Sequence, residues 1–80
     1  MNIQYFIVDA NKQFLAIEED NRLITTNVLD FPLYYKTEQM ANGMLKTLSS
    51  KSFKEKMIID KDIVFPLRVL KIKVSYEEVE

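Results

Sequence analysis

Apolar residues recur with a helical period between Thr37 and Leu48. Met40, Ala41, Met44, Leu45 and Leu48 form one stripe there, and Glu38, Gln39, Asn42, Lys46 and Thr47 take the other side. Thr37 is placed to cap the first turn with its hydroxyl, and Glu38 sets a carboxylate beside the positive end of the helix dipole. Ser49 and Ser50 follow the last apolar residue and compete for backbone hydrogen bonds, so the helix is expected to end there. A helix this short is marginal alone, so it must lie on a sheet. Leu45 and Leu48 are then the positions where truncation should cost most, and Gln39 and Lys46 the positions where it should cost least.

Elsewhere the pattern is that of strands and turns. Residues 2 to 8 alternate Ile3, Tyr5 and Ile7 with Gln4, Phe6 and Val8, and both faces become apolar toward the end, which predicts a central strand. Asp9-Ala10-Asn11-Lys12 is a polar break whose Asp and Asn can close a turn through their own side chains. Phe14 to Ile17 reads as the return strand, Glu18 to Asn21 as an acidic turn, and Arg22 to Thr26 as a third strand, giving a meander. From Asn27 to Lys36 the pattern is less regular: Val28, Leu29 and Phe31 are apolar, Pro32 keeps the stretch out of a central strand, and Leu33-Tyr34-Tyr35 is a short extended run. Ser49 to Lys56 reads as a polar loop or one ragged turn anchored by Phe53, with Met57-Ile58-Ile59 as a short strand. Leu67 to Tyr76 is the clearest period-2 segment, with Leu70, Ile72, Val74 and Tyr76 on one face and Val69, Lys71, Lys73 and Ser75 on the other. Lysines in such a strand serve its wet face or guard an edge from pairing.

Phe31-Pro32-Leu33 recurs as Phe65-Pro66-Leu67. The residues around the two triplets do not correspond, so both are read as strand entries in which Pro fixes φ and Phe anchors the bend, not as an internal repeat. Together these elements predict a single α+β domain over residues 1–80: an antiparallel sheet of three to five strands with one amphipathic helix packed on one face.

Composition narrows the chemistry more than the fold. The chain has no Cys and no His, so it lacks a thiolate nucleophile, a disulfide framework, a Cys-based zinc site and the usual proton shuttle at neutral pH. Its single glycine, Gly43, lies in the helix, so no glycine-rich phosphate cradle is possible. The acidic runs at residues 18–21 and 60–62 lack the alternate ligand spacing of a calcium loop. No enzyme activity and no cofactor are expected. With neither a leader-like segment nor a membrane-length apolar run, the expected setting is cytoplasmic, away from membranes.

Charge is segmental: residues 1–30 sum to −3 and residues 51–73 to +4 within an overall −1. Opposite ends of such a chain can meet in the fold and simply solvate its surface. The basic segment, with Phe53 and Phe65 interleaved, has the composition of a single-stranded nucleic-acid groove, but acidic residues interrupt it and no recognition signature accompanies it. Protein–protein recognition is the leading expectation, and nucleic-acid binding the alternative. Tyr34, Tyr35, Phe53, Met57, Ile58 and Phe65 are large apolar residues left over after the helix and strand faces are assigned, so they are the candidate partner-binding residues. A patch made of them would also suit a two-fold homodimer.

The order of Tyr5-Phe6-Ile7-Val8, a hairpin, and Leu33-Tyr34-Tyr35-Lys36-Thr37-Glu38 entering a helix resembles small accessory proteins of bacteriophages and mobile elements from AT-rich bacteria, over residues 5–48. The abundance of Lys, Ile and Asn leans the same way. The resemblance implies binding to a host protein, as anti-CRISPR and other anti-defence inhibitors do, and it brings no functional residues with it.

Overall fold

The chain runs β1 (Asn2–Val8), β2 (Phe14–Glu18), β3 (Arg22–Thr26), β4 (Tyr34–Tyr35), α1 (Glu38–Leu48), α2 (Lys51–Lys56), β5 (Ile58–Ile59) and β6 (Arg68–Val74) in the computed structural model, which describes residues 2–27 and 30–74. The α+β class is as expected. The expected single helix and wholly antiparallel sheet are not: there are two helices among the described residues, and β5 pairs with β3 in parallel.

β1 is central. β6 runs antiparallel along its whole length, from Asn2 opposite Val74 to Val8 opposite Arg68. Its other edge is shared, with β2 meeting it at Val8–Phe14 and β4 at Tyr5–Tyr35 and Phe6–Tyr34. β1 and β2 therefore diverge, and Leu33 fills the opening as a wedge. Its carbonyl accepts from the Ile7 N–H (3.3 Å) while its own N–H donates to the Leu15 carbonyl (2.8 Å). Backbone groups that two splayed strands would leave unpaired are satisfied in this way.

Alternation then separates two faces. Ile7 and Val69 lie on the face that α1 covers; Ile7, Leu15, Leu23, Ala41, Leu48, Ile63 and Leu67 centre the core, around which Val69, Tyr35, Met44, Leu45, Phe53, Met57 and Ile59 pack. Burial pushes the Tyr35 phenol above its ordinary pKa. Thr37 caps α1 as expected, its hydroxyl accepting from the Met40 N–H (3.2 Å), and Ser49 closes it. Ser50 starts α2 by the same chemistry, accepting from the Phe53 N–H (3.2 Å), so the expected loop is a short helix that turns Phe53 inward.

Three further expectations are corrected. Met40 belongs to the sequence stripe but sits in the first turn of α1 and is 57% exposed, so the stripe is buried only from Ala41 onward. Phe31 does not anchor its bend; Pro32 and Leu33 go inward instead. β6 presents Val69 to the helix side, and its more apolar face, with Leu70 and Ile72, is turned away. The expected continuation of β6 through Ser75 and Tyr76, like the apolar pair Val28 and Leu29, lies outside the described residues.

Asp9 is a fully buried carboxylate at the end of β1. It accepts from the N–H groups of Asn11 (2.9 Å), Gln13 (2.9 Å) and Val64 (3.1 Å) and from the Gln13 side-chain amide (2.7 Å). Burial works to raise its pKa, but the hydrogen bonds from Gln13, Val64 and Asn11 together outweigh it and hold the carboxyl below its ordinary 3.8.

Two stability predictions follow from this packing. Leu48→Ala should cost about 2–5 kcal/mol, and Met40→Ala less than about 0.5 kcal/mol, in urea denaturation. Equal midpoints would contradict the burial of Leu48 and the exposure of Met40. Asp9→Ala strands three backbone donors and should cost about 2–4 kcal/mol. Because the folded pKa of Asp9 lies below the unfolded one, its carboxylate stabilises the fold above about pH 4, and that contribution is lost as the pH falls through the folded value. In Asp9→Asn the acid limb of the stability profile should be flatter than in the wild type, and superimposable limbs would refute the assignment.

Candidate interaction surface

The face of the sheet opposite α1 carries no covering element among the described residues. Phe6 opposite both Leu70 and Tyr34, Val8 opposite Phe14, Gln4 opposite Ile72 and Ala16 opposite Ile24 all point there. Phe6 is buried by its own neighbours: the Phe14 ring meets it edge-on at 5.1 Å and the Tyr34 ring is tilted against it at 6.0 Å. Arg68 lies opposite Val8 and reaches across to donate to the Ala10 carbonyl (3.2 Å). The outcome is a second apolar layer, separate from the core, with Phe14, Ile24, Leu70 and Ile72 half-buried and Tyr34 half in water. Such a face on a small domain is the candidate interaction surface.

Phe31 belongs to the loop between β3 and β4, which is tied to this face through Thr26. Thr26, which shares the side of Phe14, donates through its hydroxyl to the Asp30 carbonyl (3.3 Å), and the Asp30 N–H closes the turn onto the Asn27 carbonyl (3.0 Å). Phe31 follows with φ +50° and its side chain 95% exposed. A left-handed backbone at a bulky residue is strained. Lys12 and Asn21 are also left-handed, but each sits in a hairpin turn that needs the conformation, whereas Phe31 holds out an aromatic ring.

The candidate residues named from sequence divide. Tyr35, Phe53 and Met57 are taken up by the core, whereas Tyr34, Ile58 and Phe65 are exposed. Adjacent Tyr34 and Tyr35 do point to opposite faces. Ile58 lies on β5, in register with Arg22 at the far side of the sheet from Tyr34. Phe65 carries the Lys54 ammonium over its ring at 5.0 Å. Sequence reasoning missed Phe31, and it had noticed that both faces of β1 are apolar without following the second face to Phe14, Leu70 and Ile72.

Other chemistry is sparse. A shallow open depression of about 280 Å³ is lined by Ile3, Gln4, Tyr34 and Lys36, where β4 ends and β1 continues. No trio of acidic residues is placed to hold a metal among the described residues, and no described helix is long and apolar enough to cross a membrane. The basic and acidic halves of the chain do meet: the Ile58 N–H donates to the Asn21 carbonyl (3.0 Å), bringing the end of α2 beside the acidic turn. Neither a family model, nor a curated protein, nor a solved structure matches this chain.

The exposed, left-handed position of Phe31 has a measurable consequence. Phe31→Gly should raise stability by about 0.5–1 kcal/mol, since glycine takes that conformation without penalty and no packed ring is lost. A lower urea midpoint for this variant would mean that the ring is packed.

Proposed function

We propose that this chain is a non-catalytic protein-binding module that meets its partner with the open face of its sheet, Phe31 on the loop tied to that face serving as an anchor. One observation carries the reading: the fold gains nothing from the Phe31 ring, and the backbone beneath it would be better served by glycine. An aromatic ring held out on a loop tied to an apolar surface is the kind of side chain that dominates binding energy once a partner pocket desolvates it. Tyr34 supplies a second such group, apolar at its base and polar at its tip. The resemblance to phage and mobile-element accessory proteins makes a bacterial host protein, including one of its defence systems, the class of partner to try first.

Nucleic acid is the weaker occupant. Its stacking platforms were to be Phe53 and Phe65, but Phe53 packs into the core and Phe65 already carries Lys54.

The test is capture from a nuclease-treated bacterial lysate with four baits in parallel: wild type, Phe31→Ala, Tyr34→Ala and Met40→Ala. A protein retained by the wild type and Met40→Ala, and lost at least tenfold from Phe31→Ala, is the expected result, since loss of an aromatic that fills a partner pocket costs about 2 kcal/mol or more. Identical retention on all four baits sinks the proposal. Sedimentation equilibrium of the purified chain tells a second copy from a foreign partner, because only the former gives a concentration-dependent mass.

A further inference from the structure

β6 has one paired edge and one free one. Its seven residues pair with β1 throughout, and no described residue pairs with the other side. Arg68–Val74 contains no proline and is a full-length strand, and the guard it carries against pairing is its positive charge. Alternation arranges its side chains in two rows. Leu70 and Ile72 lie half-buried on the open apolar face, and Lys71 and Lys73 lie exposed on the face of the helix. Between Leu67 and Val74 the chain has three cations, Arg68, Lys71 and Lys73, and no carboxylate. Neither lysine is in a salt bridge among the described residues.

These features select an occupant. A second copy of β6 would set three cations against three with no counter-charge in either strand, and like charges facing one another across a sheet are destabilising. An acidic strand meets the opposite situation. We propose that the free edge of β6 takes an extended segment of a partner protein by strand addition, one that alternates apolar with acidic residues. Its apolar side chains continue the open face beside Leu70 and Ile72, its carboxylates lie beside Lys71 and Lys73, and its backbone satisfies the free N–H and C=O groups of the edge. The lysines then serve as a filter: they reject self-pairing and admit a strand of complementary charge. This deepens the protein-binding reading above and rests on it, because the added strand would enlarge the same apolar face.

The probes are two peptides matching β6 in length, one alternating Glu with Val and the other Lys with Val, together with a Glu–Val peptide N-methylated at alternate residues. Binding is followed by amide chemical shifts and hydrogen exchange. The Glu–Val peptide should shift and protect the amides of residues 68–73 and bind about tenfold or more tighter than Lys–Val. N-methylation should abolish binding, and the double variant Lys71→Glu/Lys73→Glu should invert the preference. Both changes are at exposed positions; Lys71→Gln/Lys73→Gln, which should bind the two peptides alike, guards against a folding defect in the charge reversal. Equal binding of Glu–Val and Lys–Val by the wild type, binding that survives N-methylation, or no binding would each overturn the proposal. A captured protein that depends on Phe31 but binds the charge-reversed variant undiminished would overturn strand addition alone and leave the protein-binding module standing.

Discussion

The carboxylate of Asp9 is the point on which the arrangement of strands depends. It sits where β1 ends, and its four hydrogen bonds run to two separate parts of the chain: forward to Asn11 and Gln13, and across to Val64. The first set closes the turn that sends the chain back into β2. The second, with the Ala10 N–H donating to the Val64 carbonyl (2.8 Å), fastens the segment that leads into β6. Two of the three neighbours of β1, namely β2 and β6, are thus positioned from one buried charge. Hydrogen bonds supply the stabilisation here without any paired cation on the carboxylate, which suits a group that must stay ionised in a small core.

From that fixed corner the second constraint follows. β2 leaves β1 after a single cross-strand pair, and the widening gap needs a segment that can bond to both sides. Leu33 does this with its own N–H and carbonyl, and its side chain enters the core at the same time. Because Leu33 is inward, Tyr34 must be outward and Tyr35 inward again. The wedge therefore sets the position of Tyr34 against Phe6, and with it one side of the open apolar face. What holds the sheet together and what the molecule displays are consequences of one short segment.

Legibility in the sequence tracks the range of the interaction that decides each element. β1, β3 and both ends of α1 stand where the residues imply, because alternation, turn carboxamides and hydroxyl caps act within a few positions. Sequence leaves α2 between a polar loop and one ragged turn, since Phe53 alone is apolar in it and its cap, Ser50, also suits the end of α1. The parallel pairing of β5 is two residues long and depends on β3, far away in the chain. The two faces of β6 are legible, but which of them meets α1 is decided at long range as well. Local pattern favours burying Leu70 and Ile72, whereas register with β1 places Val69 beside Ile7 and leaves the more apolar row outside. Of the candidate site, Tyr34 was legible because two adjacent tyrosines in an extended run cannot share a face. Phe31 was not, since a positive φ at a phenylalanine leaves no mark in composition or period.

These misreadings converge on one physical point. Local rules place apolar residues inward and reserve left-handed backbone for small ones, and this chain departs from them at the outer face of β6 and at the loop carrying Phe31, as it does at exposed Met40 and Ile58. Sequences that fold well keep local preference and global structure consistent, so departures gather where something other than stability is served. Thr26 links the loop to the side of the sheet on which Leu70 and Ile72 lie, through its hydroxyl on Asp30. The loop and the outer face of β6 are thus joined through one face of the sheet, while the opposite face, under α1, supplies the core. A domain of this size has little stability to spare. That it keeps a strained aromatic tied to an uncovered apolar layer is the reason to read that face as the surface it uses.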